Sequence, residues 1–203
     1  MTLLETFHLE HLPPGYDIHV ALYDSVTNAS FLHQQLLAGN TDFEYGFIDA
    51  TVVVSTMHVL AAAYRAVNDL VEQRLKTRNV HSEMVFCLSP NNNIAESFRR
   101  FGISPTTTSL IVLKISTPEK PCPAASVQAH LARSVEGRQI PFSDDELAKT
   151  ADWARVRKIY KLNSSSGGAR KAMVNGGGPM AAVDEKGELE LQILGAMALR
   201  GVQ

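Results

Sequence analysis

The sequence is poor in cysteine: Cys87 and Cys122 are the only two in 203 residues. Two separated thiols form no disulfide framework and supply no C-x-x-C pair for a structural metal. Cys87 sits in an apolar run and reads as a core residue. Long hydrophobic runs are also missing. The most apolar stretch, 50–63, is interrupted by Ser55, Thr56 and His58 and falls short of the ~20 apolar residues of a membrane span. The opening Met1-Thr2-Leu3-Leu4-Glu5 has no basic segment followed by an apolar one, so no signal peptide is expected. Nor is there an excess of charge of one sign. Nineteen Lys and Arg stand against 21 Asp and Glu, giving a formal net charge of -2 and a pI near 6.4. A dedicated nucleic-acid binder is usually basic, so any RNA contact has to come from a local patch. The expectation is a soluble intracellular protein without a membrane partner.

What is present is enough apolar residue, 45%, for one domain with a sizeable core. Leu3 to Leu9 and Tyr16 to Tyr23 alternate at period two around Pro13-Pro14-Gly15 and predict a hairpin. A helix follows Thr27 or Asn28 and stops at Gly39-Asn40. Phe47 to Ala50 is a short strand or the start of a helical run. A long helix begins at Ser55 and ends near Thr77, with Leu60, Ala63, Tyr64, Val67, Leu70, Val71 and Leu75 as its apolar stripe. Val80 to Leu88 alternates and predicts a strand. Ser89 to Asn93 is a polar turn ahead of a short helix, Ile94 to Phe101, ended by Gly102. Ser109 to Ser116 predicts a strand and Ala124 to Arg133 a helix. Ser143-Asp144-Asp145-Glu146 is a capping box, and the segment around Trp153, Val156, Ile159 and Tyr160 is helical. Asn163 to Gly178 is rich in Gly and Ser without apolar periodicity and predicts a flexible insertion. Glu185 to Leu199 returns to helix, apolar on several sides. The order predicts an α+β fold: a small, mostly antiparallel β-sheet packed against several α-helices. The single domain comprises 1–162 and 179–203, with 163–178 inserted.

Chemistry-bearing motifs are few. Gly167-Gly168-Ala169-Arg170-Lys171 lacks the spacing and the preceding strand of a phosphate loop. The seven histidines form no H-x-x-x-H pair on a helix face and read as structural or solvent-facing. No G-x-S-x-G elbow occurs. Asp144-Asp145-Glu146 is explained by the helix dipole. No catalytic residue, metal site or cofactor is assigned. Two features remain. Arg65, Arg74, Lys76 and Arg78, followed by Arg99 and Arg100, cluster positive charge, as a solvated helix face also does. Ile94 and Phe98 share a helix face, with Phe101 and Ile103 beyond, in a pattern that core packing also produces.

The stretch Arg78-Asn79-Val80-His81-Ser82-Glu83, continued by Leu88-Ser89-Pro90-Asn91-Asn92-Asn93-Ile94-Ala95-Glu96-Ser97-Phe98-Arg99-Arg100-Phe101-Gly102-Ile103, resembles the hallmark of the Cgi/PRPK-binding-protein family. This family is the small subunit of the EKC/KEOPS complex. Thr27-Asn28-Ala29, Leu36-Leu37, Phe47-Ile48-Asp49-Ala50, Leu60-Ala61-Ala62-Ala63-Tyr64-Arg65-Ala66 and Leu194-Gly195-Ala196-Met197-Ala198-Leu199 resemble further family segments in the same order. The fungal subunits are the most similar. The resemblance implies a non-catalytic adaptor without cofactors, working in nucleus and cytoplasm. It implies binding to the N-lobe of the complex's small atypical protein kinase, and indirect contact with the threonylcarbamoyl transferase subunit. It also implies capture of tRNA by its 3′ CCA end for threonylcarbamoyladenosine modification of ANN-decoding tRNAs, with telomere and transcription links in fungi. On this footing Ile94, Phe98, Phe101 and Ile103, with Leu191, Leu194 and Leu199, are expected at the kinase. Arg65, Lys76, Arg78 and His81 are expected at tRNA. A protein-only kinase regulator that touches no RNA is the alternative, and an unrecognised small hydrolase a third.

Overall fold

In the computed structural model, residues 3–162 and 185–200 are described; the expected insertion at 163–178 lies outside them. Five strands form one antiparallel sheet: β1 (Glu5–Phe7), β2 (Ile18–Asp24), β3 (Gly46–Asp49), β4 (Leu110–Ile115) and β5 (Arg138–Ile140). The order is β1-β2-β4-β3, and β5 also pairs with β2. The expected hairpin is present, with Glu5 opposite Val20 and Phe7 opposite Ile18. β4 fills the other edge of β2, from Ile18 opposite Ile115 to Tyr23 opposite Leu110.

Period two decides the layers. Ile18, Val20 and Leu22 of β2, with Ile111, Leu113 and Ile115 of β4, face one core. Ala21 and Tyr23, with Leu110 and Val112, face another. Helices cover both faces, so the fold is α+β with the sheet in the middle. On the first face lie α2 (Thr56–Val71), α3 (Val80–Cys87), α4 (Ile94–Phe101), α6 (Asp144–Thr150), α7 (Trp153–Tyr160) and α8 (Glu185–Ala198). On the second lie α1 (Ala29–Leu37) and α5 (Ala124–Ser134). No helix among the described residues is long and apolar enough to cross a membrane.

The structure corrects the expected strand at Val80–Leu88: it is the helix α3. Asn79 caps it, accepting from the Ser82 N–H at 2.8 Å. All but Ser82 of its eight residues are buried, and a helix buried on nearly all sides shows no helical stripe to distinguish it from a strand. The long helix from Ser55 is capped as expected, Ser55 Oγ accepting from the His58 N–H, but it stops at Val71 rather than near Thr77. Gln73 takes a left-handed conformation, φ 55°, and the chain turns off. Glu83, fully buried, then holds the loop ahead of α3: its Oε2 accepts from the backbone N–H groups of Lys76 at 2.9 Å and Thr77 at 2.8 Å. The same oxygen accepts from Thr77 Oγ1 at 2.7 Å.

Two arginine arrangements, one half-buried and one buried, lock α8 to the body. Arg65 donates to the carbonyls of Met197 at 2.6 Å and Arg200 at 2.9 Å. Arg200, 5% exposed, donates in turn to the Phe86 and Ser89 carbonyls and lies over the Phe86 ring. Each guanidinium thus meets carbonyls at a helix C-terminus, where the dipole favours a cation.

Candidate functional site

The fold leaves a cleft of about 650 Å³ between the end of α1, the 39–45 connection, the start of α3, and the end of α4 with the following 102–105 segment. Its shape follows from local chain chemistry. Gly39 closes α1 with φ 68°, a conformation glycine adopts at little cost. Asn40 then turns the chain by accepting from the Asp42 N–H at 3.1 Å. The Arg78 guanidinium lies against this glycine: a Cβ on Gly39 would meet its Nη2 at 3.4 Å and Nη1 at 3.5 Å. Arg78 is rooted by the loop that Glu83 holds, one residue before the α3 cap.

The cleft combines apolar and charged groups. Phe43, Tyr45, Phe47 and Phe98 give it aromatic walls, and Arg78, Arg99 and Glu44 are its charged lining. Arg99 is neutralised locally, since Glu96 accepts from its Nε at 2.8 Å and its Nη2 at 2.6 Å while also pairing with Arg100. Hydrogen bonding from Arg99, then Arg100, holds the Glu96 carboxyl below its ordinary range. Arg78 has no hydrogen bond or ion pair among the described residues and is exposed. It is therefore the cation of the cleft free to meet a ligand. His81 also lines the cleft and is 5% exposed. Its Nε2 accepts from the Ile115 backbone N–H at 3.0 Å. Burial, then the charges of Lys114 and Lys120, push its pKa down to about 3.

The residues expected at tRNA are thereby divided. Arg78 and His81 line the cleft, and Lys76 is exposed on the adjoining loop. Arg65 is elsewhere, on the α2–α8 side, with its guanidinium engaged by the end of α8. The residues expected at the kinase divide too. Phe101 is fully buried beside Tyr160, which corrects its assignment to a surface; Ile103, 5% exposed, joins the second core and borders the cleft rather than an open face. Phe98 is half-buried in the cleft wall, and Ile94 remains 39% exposed on α4. Leu191 and Leu199, 72% and 61% exposed, stand out from α8, while Leu189, Ile193 and Met197 anchor its other side. Leu194 is half-buried in a groove of about 790 Å³ between α2 and the end of α8, together with Met57, Ala61 and Tyr64. Met57, 54% exposed, extends the apolar surface onto α2.

Asp69, Glu83 and Cys87 place one ligand atom each within 4.8 Å of one another. Arginines already meet this group: Arg74 pairs with Asp69 at 3.4 Å, and Arg200 approaches the Cys87 sulfur at 3.5 Å. Positive charge on both sides opposes a metal cation there.

Sequence reading missed most of the cleft. Gly39 and Asn40 were legible only as a helix stop, and Phe43 and Tyr45 gave no periodic signal. Met57 was not singled out.

Comparison with known proteins gives a consistent picture. Residues 23–201 match the family described as Kinase binding protein CGI-121. A protein of Aspergillus terreus called EKC/KEOPS complex subunit cgi121 is 54% identical over 200 residues, 98% of this chain and 97% of that protein. A protein of the same name from Aspergillus fumigatus is 51% identical over 203 residues, 99% of each. A protein of the same name from Schizosaccharomyces pombe is 33% identical over 153 residues, 75% of this chain and 86% of that one.

Proposed function

The chain belongs to the Kinase binding protein CGI-121 family, and from that premise we propose that it is a non-catalytic EKC/KEOPS subunit. In this reading it binds the complex's atypical kinase through the kinase N-lobe and recruits tRNA by its 3′ CCA end. It serves threonylcarbamoyladenosine modification of ANN-decoding tRNAs and reaches the transferase subunit indirectly. It works in nucleus and cytoplasm, and its telomere and transcription links follow from the same complex.

The α2–α8 surface is the proposed kinase contact. Leu194 and Met57 share the α2–α8 groove, and Leu191 and Leu199 are exposed on α8 and just past its end; apolar surface of this kind suits a lasting partner better than water. Ile94 is a peripheral candidate on α4. The cleft is the proposed tRNA site. The observation that carries it is Arg78, a guanidinium with no partner among the described residues that lines an aromatic-walled cleft. Phosphate needs a cation, and an unpaired base needs a flat surface to stack on. Lys76 extends the charge outside the cleft.

The test is a gel shift with tRNA carrying or lacking its CCA tail. Binding that requires the tail and falls in Arg78→Glu, with kinase binding intact, is the expected outcome. Equal binding of both tRNAs, or an unchanged affinity in Arg78→Glu, removes the cleft from the reading. The protein-only regulator is favoured by one observation, the net charge of -2. No tRNA binding at low salt, alongside normal kinase binding, would establish it.

A further inference from the structure

The proposed kinase surface and the proposed RNA cleft share one loop. Residues 72–79 join α2 to α3. At the start of this loop, Glu72 and Arg74 line the α2–α8 groove beside Asp69 and Leu194. At its end, Arg78 and Asn79 line the cleft. Between them the buried Glu83 carboxylate holds Lys76 and Thr77. Groove and cleft are thus the two ends of one short segment that is pinned at its middle to the core.

The groove end is held by backbone and by one ion pair. Gln73 N donates to the Leu70 carbonyl at 3.0 Å and Arg74 N to the Asp69 carbonyl at 2.7 Å, which closes α2. The ion pair joins Arg74 Nη2 to Asp69 Oδ1 at 3.4 Å, and its Arg74 side chain is 63% exposed. An exposed pair of this kind holds little by itself. Asp69 and Glu83 nevertheless bring carboxylate oxygens within 4.8 Å of each other, and one Glu83 oxygen is buried without a partner among the described residues. Like charges at this distance repel, and Arg74 offsets the charge of Asp69. The loop therefore has two arrangements. In one, Arg74 is seated on Asp69; in the other it extends into water and leaves the two carboxylates opposed. A partner that covers the groove takes water away from the pair, which strengthens it and favours the seated arrangement.

We infer that a kinase seated in the α2–α8 groove holds Arg74 on Asp69, orders residues 72–79 and so tightens RNA binding in the cleft through Arg78. This coupling rests on the two contacts proposed above and adds the regulation of one by the other. Arg74 is a positioning residue that acts through the loop. The cost of ordering the loop is met once, so whichever partner binds second binds more tightly. By linkage, RNA tightens kinase binding by the same factor.

The experiment is fluorescence anisotropy of a labelled, short single-stranded RNA ending in CCA, titrated with the full chain alone and with the full chain saturated by the kinase subunit. Saturation tightens RNA binding roughly fivefold or more. Arg74→Ala abolishes the gain, and Arg74→Lys, which keeps the charge, restores most of it. A gain that persists in Arg74→Ala comes from contacts of the kinase itself with RNA and overturns the inference. Hydrogen exchange on the unsubstituted protein reads the loop directly and decides the case should Arg74→Ala lose the kinase. The amides of Lys76 and Thr77 are bonded to Glu83, and neither residue lines the groove or the cleft. Their exchange slows by a similar factor when the kinase binds. Unchanged exchange, or equal RNA affinity with and without the kinase, overturns the inference and leaves both contacts standing. A chain that binds no kinase, or no RNA, loses that part of the proposed function and this coupling with it.

Discussion

Replacing Glu83 probes the link between the core and the cleft. One oxygen of this fully buried side chain accepts from Lys76 N, Thr77 N and Thr77 Oγ1 at 2.7–2.9 Å. Those contacts fix the loop that roots Arg78. Glu83→Ala removes all three. At about 1–1.5 kcal/mol net per bond the loss is about 3–4 kcal/mol, and for a chain of this size that lowers Tm by roughly 10 °C. Glu83→Gln keeps an acceptor in the same place. Its amide nitrogen falls at Oε1, which has no partner among the described residues, with Asp69 close by as an acceptor. Only the extra strength of a carboxylate acceptor is given up, about 1 kcal/mol. Scanning calorimetry on the three proteins should therefore rank parent, Gln, Ala in falling Tm. An Ala variant that melts with the parent would show that the loop stands without these bonds. A Gln variant that melts as low as Ala would show that charge, rather than acceptor position, holds it.

Acid should weaken the fold. His58 and His81 are both buried with pKa values pushed down from 6.5 to about 3, burial being the main cause. The unfolded chain takes up a proton at each below pH ~6.5 while the folded chain does not until about pH 3. The contribution of these two histidines is thus constant above pH ~6.5 and falls by about 1.4 kcal/mol per pH unit per histidine on acidification through that window. Urea midpoints that do not move between pH 7 and pH 5 would contradict this. Leu191→Glu combined with Leu199→Glu should leave Tm nearly unchanged, because both side chains are exposed, yet abolish co-purification with the kinase. Retained co-purification moves the kinase contact off α8. Arg65→Ala should cost about 1–3 kcal/mol through the carbonyls it leaves unpaired, measured by urea unfolding, while tRNA affinity of the folded protein stays put. A tRNA defect without a stability loss would return Arg65 to the RNA surface.

The sequence showed the sheet well where strands alternate or carry turn signals, as at Ile18–Asp24 after Pro13-Pro14-Gly15. It showed capped helix starts at Ser55, Asn93 and Ser143, where short polar side chains accept from N–H groups of the first turn. It failed at Val80–Cys87, because a helix buried all round carries no polar face. It also failed at Arg138–Ile140, a three-residue strand defined by its pairing with β2. The basic and apolar clusters were visible, but their division was not. Arg65 and Arg78 lie close in the chain and belong to different surfaces. Ile94 and Ile103 flank one helix, yet only the first reaches solvent. The cleft draws on segments from His33 to Pro105, and no local pattern shows which of these meet.

The pairing of β2 bears on synthesis. This strand is complete by residue 24, but its longest partner, β4, begins at residue 110 and β5 at residue 138. At about 5–20 residues per second on the ribosome, its apolar side chains wait several seconds or more for cover. During translation the short hairpin with β1 is the available shelter. Synonymous codons that slow elongation between β2 and β4 should therefore lengthen exposure of this strand and raise its demand for chaperones, with no change in the finished protein.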